Sequence, residues 1–414
     1  MTLPHGLRAL RHRDFRWFFA GQGISQIGSW LQMIATSWLI YRLSGSTLLL
    51  GLSAFAQQIP FLLLAPLAGV FVDRFDRRRL LLTTNTVALA QACAMFAVVA
   101  FGVVEPWHLI AGNLVLGIVN AWDAPARQSL LIQLVGGRQD LASAIALNSV
   151  MMNLARFAGP MIGGALIGAF GERWGFGCNA VSYFAMLLAL SRIPGAQRVA
   201  AATGQGLVRE LAAGARYAYG FLPARCALLL LTAASLTVGS YVALMPWFAA
   251  EAFHGDSRML GLLISSAGMG AVTGMVYLAL RSGVRGLFGL LAWTVGVAGA
   301  ALFVFSFSRS LWLALPALYF VGLGLMLTAA STNTVLQTIV PDELRGRVAS
   351  LYVMSFIGMA PLGALAAGWL AERLGPPHTL ALCGLLGIVA AALYRTQLPA
   401  IRQAIRPVYE KLGT

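Results

Sequence analysis

The sequence predicts an all-α membrane protein with twelve transmembrane helices in two pseudo-symmetric six-helix bundles. Of its 414 residues, 59% are hydrophobic and 10% are charged, whereas soluble domains carry about 25% charged residues. Apolar stretches of roughly 20 residues recur along the chain, and each is long enough to cross the hydrocarbon core of a bilayer as a helix. No long block is polar enough to form a separate soluble domain.

Twelve spans are predicted from the apolar runs and from the Arg, Pro and Gly residues between them. The longest polar interval divides these spans into two sets of six. Weak similarity between the two halves supports a duplicated architecture with a substrate site between the repeats. The predicted spans are approximately 16–41, 48–72, 80–103, 107–130, 142–170, 174–194, 223–250, 259–280, 286–307, 311–338, 347–373 and 377–395.

The predicted domain organisation follows from this division. Leu207, Leu211 and Ala215 share one side of a helix, which predicts a short amphipathic helix at the membrane surface within the linker. The predicted parts are an N-terminal six-helix bundle at 1–194, a cytoplasmic linker at 195–222, a C-terminal six-helix bundle at 223–398 and a cytoplasmic tail at 399–414.

Basic residues are distributed unevenly between the connections. Arginines cluster before the first predicted span, after the second, in the central interval and near the C-terminus, while alternate connections hold single basic residues. Cytoplasmic loops retain positive charge, so both termini and the linker are predicted to be cytoplasmic. We therefore expect a multi-pass protein of the cytoplasmic (inner) membrane, embedded in the lipid bilayer as a monomer.

Several functional classes have no signal in the sequence. The basic residues, which give a net charge of +15, lie between hydrophobic runs and form no nucleic-acid-binding motif. The four cysteines are scattered and the five histidines are isolated, so no metal site, cofactor or catalytic dyad is predicted. No phosphate-binding loop of the GxxxxGK[ST] type occurs, so the chain carries no ATPase module. We expect a protein that is not an enzyme and binds no nucleic acid.

The stretch GVFVDRFDRRRLL, residues 69–81, is the most informative motif. Glycine lets a helix approach a neighbour closely, an aspartate can face a helix N-terminus, and arginines can pair with acids or carbonyl groups. The stretch resembles the loop between the second and third helices of major facilitator superfamily transporters, G-x-x-x-D-R-x-G-R-[KR], although Asp76 stands where that family usually has glycine. The resemblance implies a latch at the cytoplasmic gate; a basic loop that only anchors the protein to lipid is the alternative. The matching residues are Gly69, Asp73, Arg74, Arg77 and Arg78.

Asp123 and Arg127 lie four residues apart on one face of the fourth predicted span, near its cytoplasmic end. Asp123 can pair with Arg77 of the loop or with Arg127 alone, and charges inside a membrane are usually paired and functional. We predict a network of Asp73, Arg77, Asp123 and Arg127. Asp123 is also the best candidate for a proton carrier, because most of the other carboxylates lie near the outer ends of the spans.

The fifth predicted span contains GPMIGG, residues 159–164. This segment resembles the glycine-proline motif of superfamily members that work as antiporters. A proline bends a helix and small residues permit close packing, which suits a hinge or a tightly packed gate. Packing without functional meaning is the alternative. The matching residues are Gly159, Pro160, Gly163 and Gly164.

Polar residues form stripes on the first, fifth and tenth predicted spans. Arg156 must face protein, water or substrate, because an arginine in the middle of a membrane costs about 2.5–3.5 kcal/mol. The three polar faces predict a central substrate cavity; hydrogen bonding between helices is the alternative for most of the serines and threonines. The predicted cavity residues are Gln26, Ser29, Asn153, Arg156, Thr332 and Asn333.

Nearly the whole chain resembles the branch of the superfamily that includes the enterobactin exporter and related siderophore and drug efflux proteins. The stretches QQIPFLLLAPLAGVFVDRFDRRRLL and NAWDAPARQSLLIQLV carry this resemblance. It implies a secondary active transporter that exports a small amphipathic molecule by alternating access, with protons as the coupling ion. The arginine in the predicted cavity favours an anionic or chelating substrate such as a siderophore. A broad-specificity drug efflux pump and a transporter-like receptor or assembly factor without flux remain alternatives.

Overall fold

The computed structural model describes residues 5–72, 75–135, 138–194, 207–281 and 283–411. Within these ranges the chain forms helices joined by short connections and contains no strand. The first part of the chain forms a 3-10 helix, His5–Arg11, followed by α1 Arg13–Ser44, α2 Thr47–Val72, α3 Arg77–Ala100, α4 Pro106–Gln133, α5 Arg138–Phe170 and α6 Arg173–Ser191.

The later part of the chain is also helical. Two of its predicted spans are interrupted by a turn of 3-10 or π-helix, and each of those spans therefore appears as consecutive shorter helices. The α-helices are α7 Leu207–Gly220, α8 Leu222–Leu236, α9 Tyr241–Trp247, α10 Ser257–Leu280, α11 Leu287–Phe307, α12 Leu311–Ile339, α13 Asp342–Val353, α14 Ala360–Leu374 and α15 Pro376–Lys411; the 3-10 turn is Val238–Ser240 and the π turns are Phe248–Ala252 and Met354–Gly358.

Eleven of the described helical segments are long and apolar enough to cross a membrane, by length and composition alone. α1 is not among them, although it has 32 residues. Its three glutamines, Gln22, Gln26 and Gln32, lower its hydropathy. At about 1.5 Å per residue, however, α1 is long enough to span the hydrocarbon core.

Residue contacts divide the chain into two compact units. The first contains the described residues within 1–49, 56–203 and 254–265, and the second contains those within 50–55, 204–253 and 266–414. Each unit has its own hydrophobic core. Fully buried core residues are Phe15, Phe18, Leu81, Leu130 and Met186 in the first unit and Leu291, Val335 and Ile401 in the second.

Local sequence signals explain several helix ends. α1 ends at Gly45, whose φ of 63° is left-handed and whose N–H donates to the carbonyl of Tyr41 at 2.7 Å. Glycine adopts this conformation without strain. α4 begins with Pro106 in its first turn, where the missing N–H of proline leaves no helical hydrogen bond unmade. The backbone N–H of Glu105 is satisfied by Nδ1 of His108 at 3.0 Å.

α7 occupies the second half of the predicted linker. It packs against α13 within the second unit, and at the contact a Cβ added to Gly214 would lie 2.9 Å from Cβ of Arg347. A glycine therefore allows the close approach of these two helices.

The last helix continues beyond the predicted final span and into the predicted tail. Two prolines, Pro399 and Pro407, lie inside α15 without ending it. Ile401 and Ile405, which lie between them, are buried in the core of the second unit. The free energy gained by burying these side chains offsets the loss of the helical hydrogen bonds that the prolines cannot make.

Candidate functional site

A cavity with a volume of about 420 Å³ lies inside the first unit. Its wall is built from α1, α3, α4, α5 and α6, and most of its lining side chains are polar. Only two of them are charged, one aspartate and one arginine. The polar lining consists of Gln22, Ser25, Gln26, Ser29, Asn85, Asn120, Asp123, Arg127, Gln128, Asn148, Ser149 and Tyr183.

Asp123 is the buried acid of this cavity, with an exposed fraction of 6%. Its Oδ2 accepts hydrogen bonds from Nε of Arg127, at 2.8 Å, and from Nη2 of the same side chain. Its Oδ1 accepts from Oγ1 of Thr84 and from Nδ2 of Asn85, both at 2.9 Å. The carboxylate thus accepts four hydrogen bonds, which stabilise a charge held away from water.

Two of the three residues that bind Asp123 lie outside the predicted network. The structure pairs Asp123 with Arg127, the nearer of its two predicted arginine partners. Thr84 and Asn85 on α3 supply the other hydrogen bonds, and the sequence pattern did not single them out. Their signal was the polar run Thr-Thr-Asn-Thr at residues 83–86, within an otherwise apolar span.

The remaining members of the predicted gate lie around the connection between α2 and α3. Gly69 is in α2, near its end. Arg77 is buried at the start of α3. Asp73 and Arg74 lie outside the described residues. The predicted latch therefore remains a prediction from the sequence.

Asp76 begins α3 and replaces the glycine of the family pattern. Its φ of −65° and ψ of 112° are open to any residue, so glycine is not required there. Its carboxylate accepts hydrogen bonds from the backbone N–H of Arg78, at 2.9 Å, and of Arg79, at 3.3 Å. Asp76 therefore caps the helix N-terminus.

Arg78 links the start of α3 to the end of α6. Its Nε donates to the carbonyl of Leu190 at 2.8 Å, and its Nη2 donates to that of Ser191 at 3.3 Å. Carbonyl groups in the last turn of a helix lack helical partners and attract positive charge. Arg78 therefore ties two cavity-lining helices together near the end of α6.

A buried polar network holds α1, α3 and α6 beside the cavity. Gln32 donates through Nε2 to Oε1 of Gln91 at 3.0 Å and accepts at Oε1 from Nδ2 of Asn179 at 2.6 Å. Ser182 donates to Oδ1 of Asn179 at 2.8 Å. Gly28 leaves room for this network, because a Cβ at that position would lie 2.6 Å from Oδ1 of Asn179. Satisfied buried networks of this kind keep helices in one register.

Two glycines of the predicted antiporter-like motif face α1. A Cβ added to Gly159 would lie 2.6 Å from Cβ of Trp30, and one added to Gly163 would lie 3.2 Å from Cα of Leu31. Both positions therefore allow α5 to pack closely on α1.

Gly164 and Pro160 face a different neighbour, the segment 257–265 of the first unit. A Cβ on Gly164 would collide with the carbonyl oxygen of Ser257 and would lie 3.0 Å from Cα of Gly261. Oγ of Ser257 donates to the carbonyl of Gly164 at 3.1 Å. Pro160 has no backbone N–H, so α5 lacks one helical hydrogen bond in this region.

The predicted substrate residues fall into three groups. Gln26 and Ser29 line the cavity of the first unit. Asn153 and Arg156 are not among its lining residues; the amide of Asn153 donates to the carbonyl of Ser149 at 2.7 Å, and Arg156 is exposed. Their substrate role remains a prediction from the sequence.

Thr332 and Asn333 lie on α12 in the second unit. Thr332 is fully buried, and Oδ1 of Asn333 accepts a hydrogen bond from Nε2 of Gln337 at 3.3 Å. Their substrate role likewise remains a prediction from the sequence. Among the described residues, no group of three or more His, Cys, Asp or Glu side chains is arranged to hold a metal ion.

Comparison with characterised proteins identifies transporters of similar sequence. The chain is 24% identical to the staphyloferrin A transporter of Staphylococcus aureus, over 92% of this chain and 95% of that protein. It is 28% identical to the multidrug efflux pump Tap of Mycobacterium tuberculosis, over 93% and 91% of the two chains. It is 26% identical to the enterobactin exporter EntS of Citrobacter koseri, over 96% and 94%.

The same fold occurs in a solved transporter structure. The nucleoside transporter NupG matches with a TM-score of 0.76 at 11% identity, over 93% of this chain and 99% of that one. At this identity the likeness shows the fold alone, and the predicted all-α major facilitator fold is confirmed. The sequence matches the transmembrane secretion effector family over residues 5–410. Since this match covers nearly the whole chain, the protein belongs to that family of major facilitator superfamily transporters.

Proposed function

We propose that the protein exports a small amphipathic molecule across the cytoplasmic (inner) membrane by alternating access, in exchange for protons. Family membership and the transporter names of the relatives support transport over catalysis. The observation that carries the coupling is the position of Asp123, a buried carboxylate in the wall of a cavity whose lining residues are mostly polar. Such a group can take up a proton from water in the cavity and release it again.

Exchange requires that a proton and the substrate exclude one another. While Asp123 is ionised, Arg127, Thr84 and Asn85 fill its acceptor positions, and a hydroxyl group of the substrate can replace one of these donors. A proton on Asp123 removes that acceptor and leaves the charge of Arg127 uncompensated. The proton and the substrate therefore favour different states of the pair formed by Asp123 and Arg127. This difference is the condition for coupling their transport.

The chemistry of the cavity supports a substrate rich in hydrogen-bonding groups. Its lining holds six carboxamides and four hydroxyls, and the formal charges of its two charged residues cancel. Apolar atoms nevertheless form the larger part of the exposed wall of the cavity, which suits an amphipathic molecule. We favour a siderophore over a lipophilic drug, because relatives transport staphyloferrin A and enterobactin and the carboxamides and hydroxyls can bind the polar groups of such a molecule. Arg156 does not line the cavity and does not support this preference.

Broad drug efflux remains the second candidate, because one relative is a multidrug pump and the apolar residues Leu131, Ile145 and Met152 also line the cavity. The third is a receptor or assembly factor without flux. We further propose a monomer with cytoplasmic termini, made of bundles at 1–194 and 223–398, a linker at 195–222 and a tail at 399–414.

Flux measurements in proteoliposomes distinguish these possibilities. The purified protein is reconstituted, a pH gradient is imposed, and transport of an iron-free catecholate siderophore is compared with that of ethidium, a lipophilic cation. We expect siderophore flux driven by the gradient. Flux of ethidium alone would identify a drug pump, and binding without flux of either probe would identify a receptor.

The variant Asp123→Asn tests the coupling. We expect it to abolish gradient-driven flux while siderophore binding survives, because an amide of the same shape cannot carry the proton. The matched control is Asp342→Asn, whose side chain is 80% exposed and which should transport normally. Unchanged flux in Asp123→Asn would remove this residue from the coupling role.

A further inference from the structure

Thr84 has one hydroxyl hydrogen and two acceptors within reach of it. Its Oγ1 lies 2.9 Å from Oδ1 of Asp123 and 3.1 Å from the backbone carbonyl oxygen of Leu81. A hydroxyl donates one hydrogen bond at a time and can accept others while it does so. Thr84 is buried, with an exposed fraction of 7%. Its hydroxyl therefore has two satisfied orientations, which differ in whether it donates to Asp123 or accepts from it.

Asn85 shows that this cluster is short of one hydrogen. Both hydrogens of its Nδ2 are used, one toward Oδ1 of Asp123 at 2.9 Å and one toward the carbonyl of Leu81 at 2.8 Å. Its own Oδ1 is buried and has no hydrogen-bond partner among the described residues. A buried acceptor without a donor is unfavourable, and the cluster therefore has one more buried acceptor than it has hydrogens to donate.

We propose that Thr84 is a positioning residue that holds Asp123 in both of its protonation states; this rests on the proposed role of Asp123 as the proton carrier. With Asp123 ionised, Thr84 donates to Oδ1. When Oδ1 takes a proton from water in the cavity, the new O–H donates to Oγ1 of Thr84, and the hydrogen of Thr84 turns to the carbonyl of Leu81. Oδ2 continues to accept from Arg127.

The exchange is reversible and leaves no group of the pair without a partner. When Asp123 loses the proton to water, the hydroxyl of Thr84 turns back and again donates a hydrogen bond to Oδ1 of Asp123. A half-turn of the amide of Asn85 exchanges the positions of its oxygen and nitrogen, so that Oδ1 of Asn85 can accept the new O–H in place of Thr84. Rotations of neutral side chains thus accompany the change in charge.

The charged and titratable groups around the carboxyl come from three helices. Arg127 is on α4 with Asp123, and Arg77 is buried two turns before Thr84 on α3. Tyr183 of α6 lies close enough for the charges of Asp123 and Arg127 to act on it. The residues of α1 and α5 that line the cavity are neutral. Thr84 is therefore a neutral partner among fixed charges.

Infrared difference spectroscopy of the full-length protein in nanodiscs tests the proposal without a substrate. The probe is the C=O stretching band of a protonated carboxyl group, followed as the pH is varied, and Asp123→Asn identifies the band of Asp123. Thr84→Val keeps the shape of the side chain and removes the hydroxyl. Thr84→Ser keeps the hydroxyl. The matched control is Thr86→Val, since Thr86 is exposed and bonds to the carbonyl of Leu82 in its own helix at 2.8 Å.

We expect Thr84→Val to move the band to higher wavenumber, because the protonated carboxyl loses an acceptor. Thr84→Ser should restore the position of the band, and Thr86→Val should leave it unchanged.

Two other results would overturn the proposal in different ways. If the band disappears in Asp123→Asn but is the same in Thr84→Val as in the unmodified protein, Thr84 does not act on Asp123, while the proposed proton carrier stands. If no carboxyl band is lost in Asp123→Asn at any pH at which the protein remains folded, Asp123 does not take up a proton. That result overturns both the proposed coupling and the role of Thr84.

Discussion

At the scale of single residues, Asp123 shows what a charge needs in order to remain inside this protein. The free energy cost of moving a carboxylate from water into an apolar interior is prohibitive unless the carboxylate is paired with a positive charge and hydrogen-bonded. Arg127, Thr84 and Asn85 together fill all of its acceptor positions. Removal of one partner from a buried ion pair typically costs about 3–5 kcal/mol. Loss of transport in Asp123→Asn is therefore informative only together with the binding measurement.

Asp76 carries a prediction about stability. We expect Asp76→Ala to destabilise the protein by about 1 kcal/mol, because the first turn of α3 loses its cap, whereas Asp76→Gly should cost only a few tenths. Asp76→Asn keeps an acceptor and should behave like the unmodified protein. The melting temperature of the purified protein in detergent measures the difference. Equal losses in the alanine and glycine variants would contradict the capping role.

At the scale of helices, α5 combines a proline with glycines that face two different neighbours. Gly159 and Gly163 lie against α1, while Gly164 lies against the segment 257–265. A helix packed this closely on both sides cannot gain a methyl group without moving a neighbour. The resemblance to an antiporter motif thus corresponds to a physical property, close packing against a neighbour, and at Gly163 and Gly164 the nearest atoms are backbone atoms.

Gly164→Ala tests this property. Its Cβ would collide with backbone atoms of Ser257 and Gly261, so we expect a lower melting temperature and slower proton-driven flux. The matched control is Gly168→Ala on the same helix, where the nearest atoms belong to the side chain of Arg258, which is 61% exposed and can move away. The control should be neutral or more stable by up to about 1 kcal/mol, because alanine favours a helix. Equal stability of the two variants would show that the contact at Gly164 is not restrictive.

At the scale of the whole molecule, the number of membrane crossings decides which side each terminus occupies. Composition alone identifies eleven crossing helices and leaves out α1. Its glutamines lower its hydropathy, yet Gln22 and Gln32 are buried within the first unit, at 3% and 2% exposure. Polar side chains that face protein do not oppose insertion as they would if they faced lipid. We therefore retain α1 as the twelfth span.

Reporter fusions test this topology. We expect a fluorescent protein fused after Thr414 to fluoresce, because positive-inside retention places the C-terminus in the cytoplasm. Alkaline phosphatase fused after Gly102, in the connection between α3 and α4, should be active, and the same enzyme fused after Arg192 should be inactive. An epitope at the N-terminus should not be bound by an antibody that is added outside the cell. If that epitope were accessible while the C-terminus was cytoplasmic, α1 would not cross the membrane.

The sequence alone determined the class of the protein. A bilayer requires apolar segments that are long enough to cross it, and the length and spacing of such segments can be read directly from the sequence. It also determined the family, since the loop motif at 69–81 and the glycine-proline segment can be recognised without coordinates. It placed Gln26 and Ser29 on one polar face of the first predicted span, and Asp123 with Arg127 on one face of the fourth.

Only the tertiary structure decided which polar residues meet. Thr84 and Asn85 are hydrogen-bonded to Asp123, 39 and 38 residues away in the chain, and no periodicity within one helix encodes that contact. The same limit applies to Arg156, since a polar stripe specifies a face of a helix but not the neighbour opposite it. Helix faces are local properties of the sequence, whereas the partners that satisfy a buried charge depend on how several helices pack together.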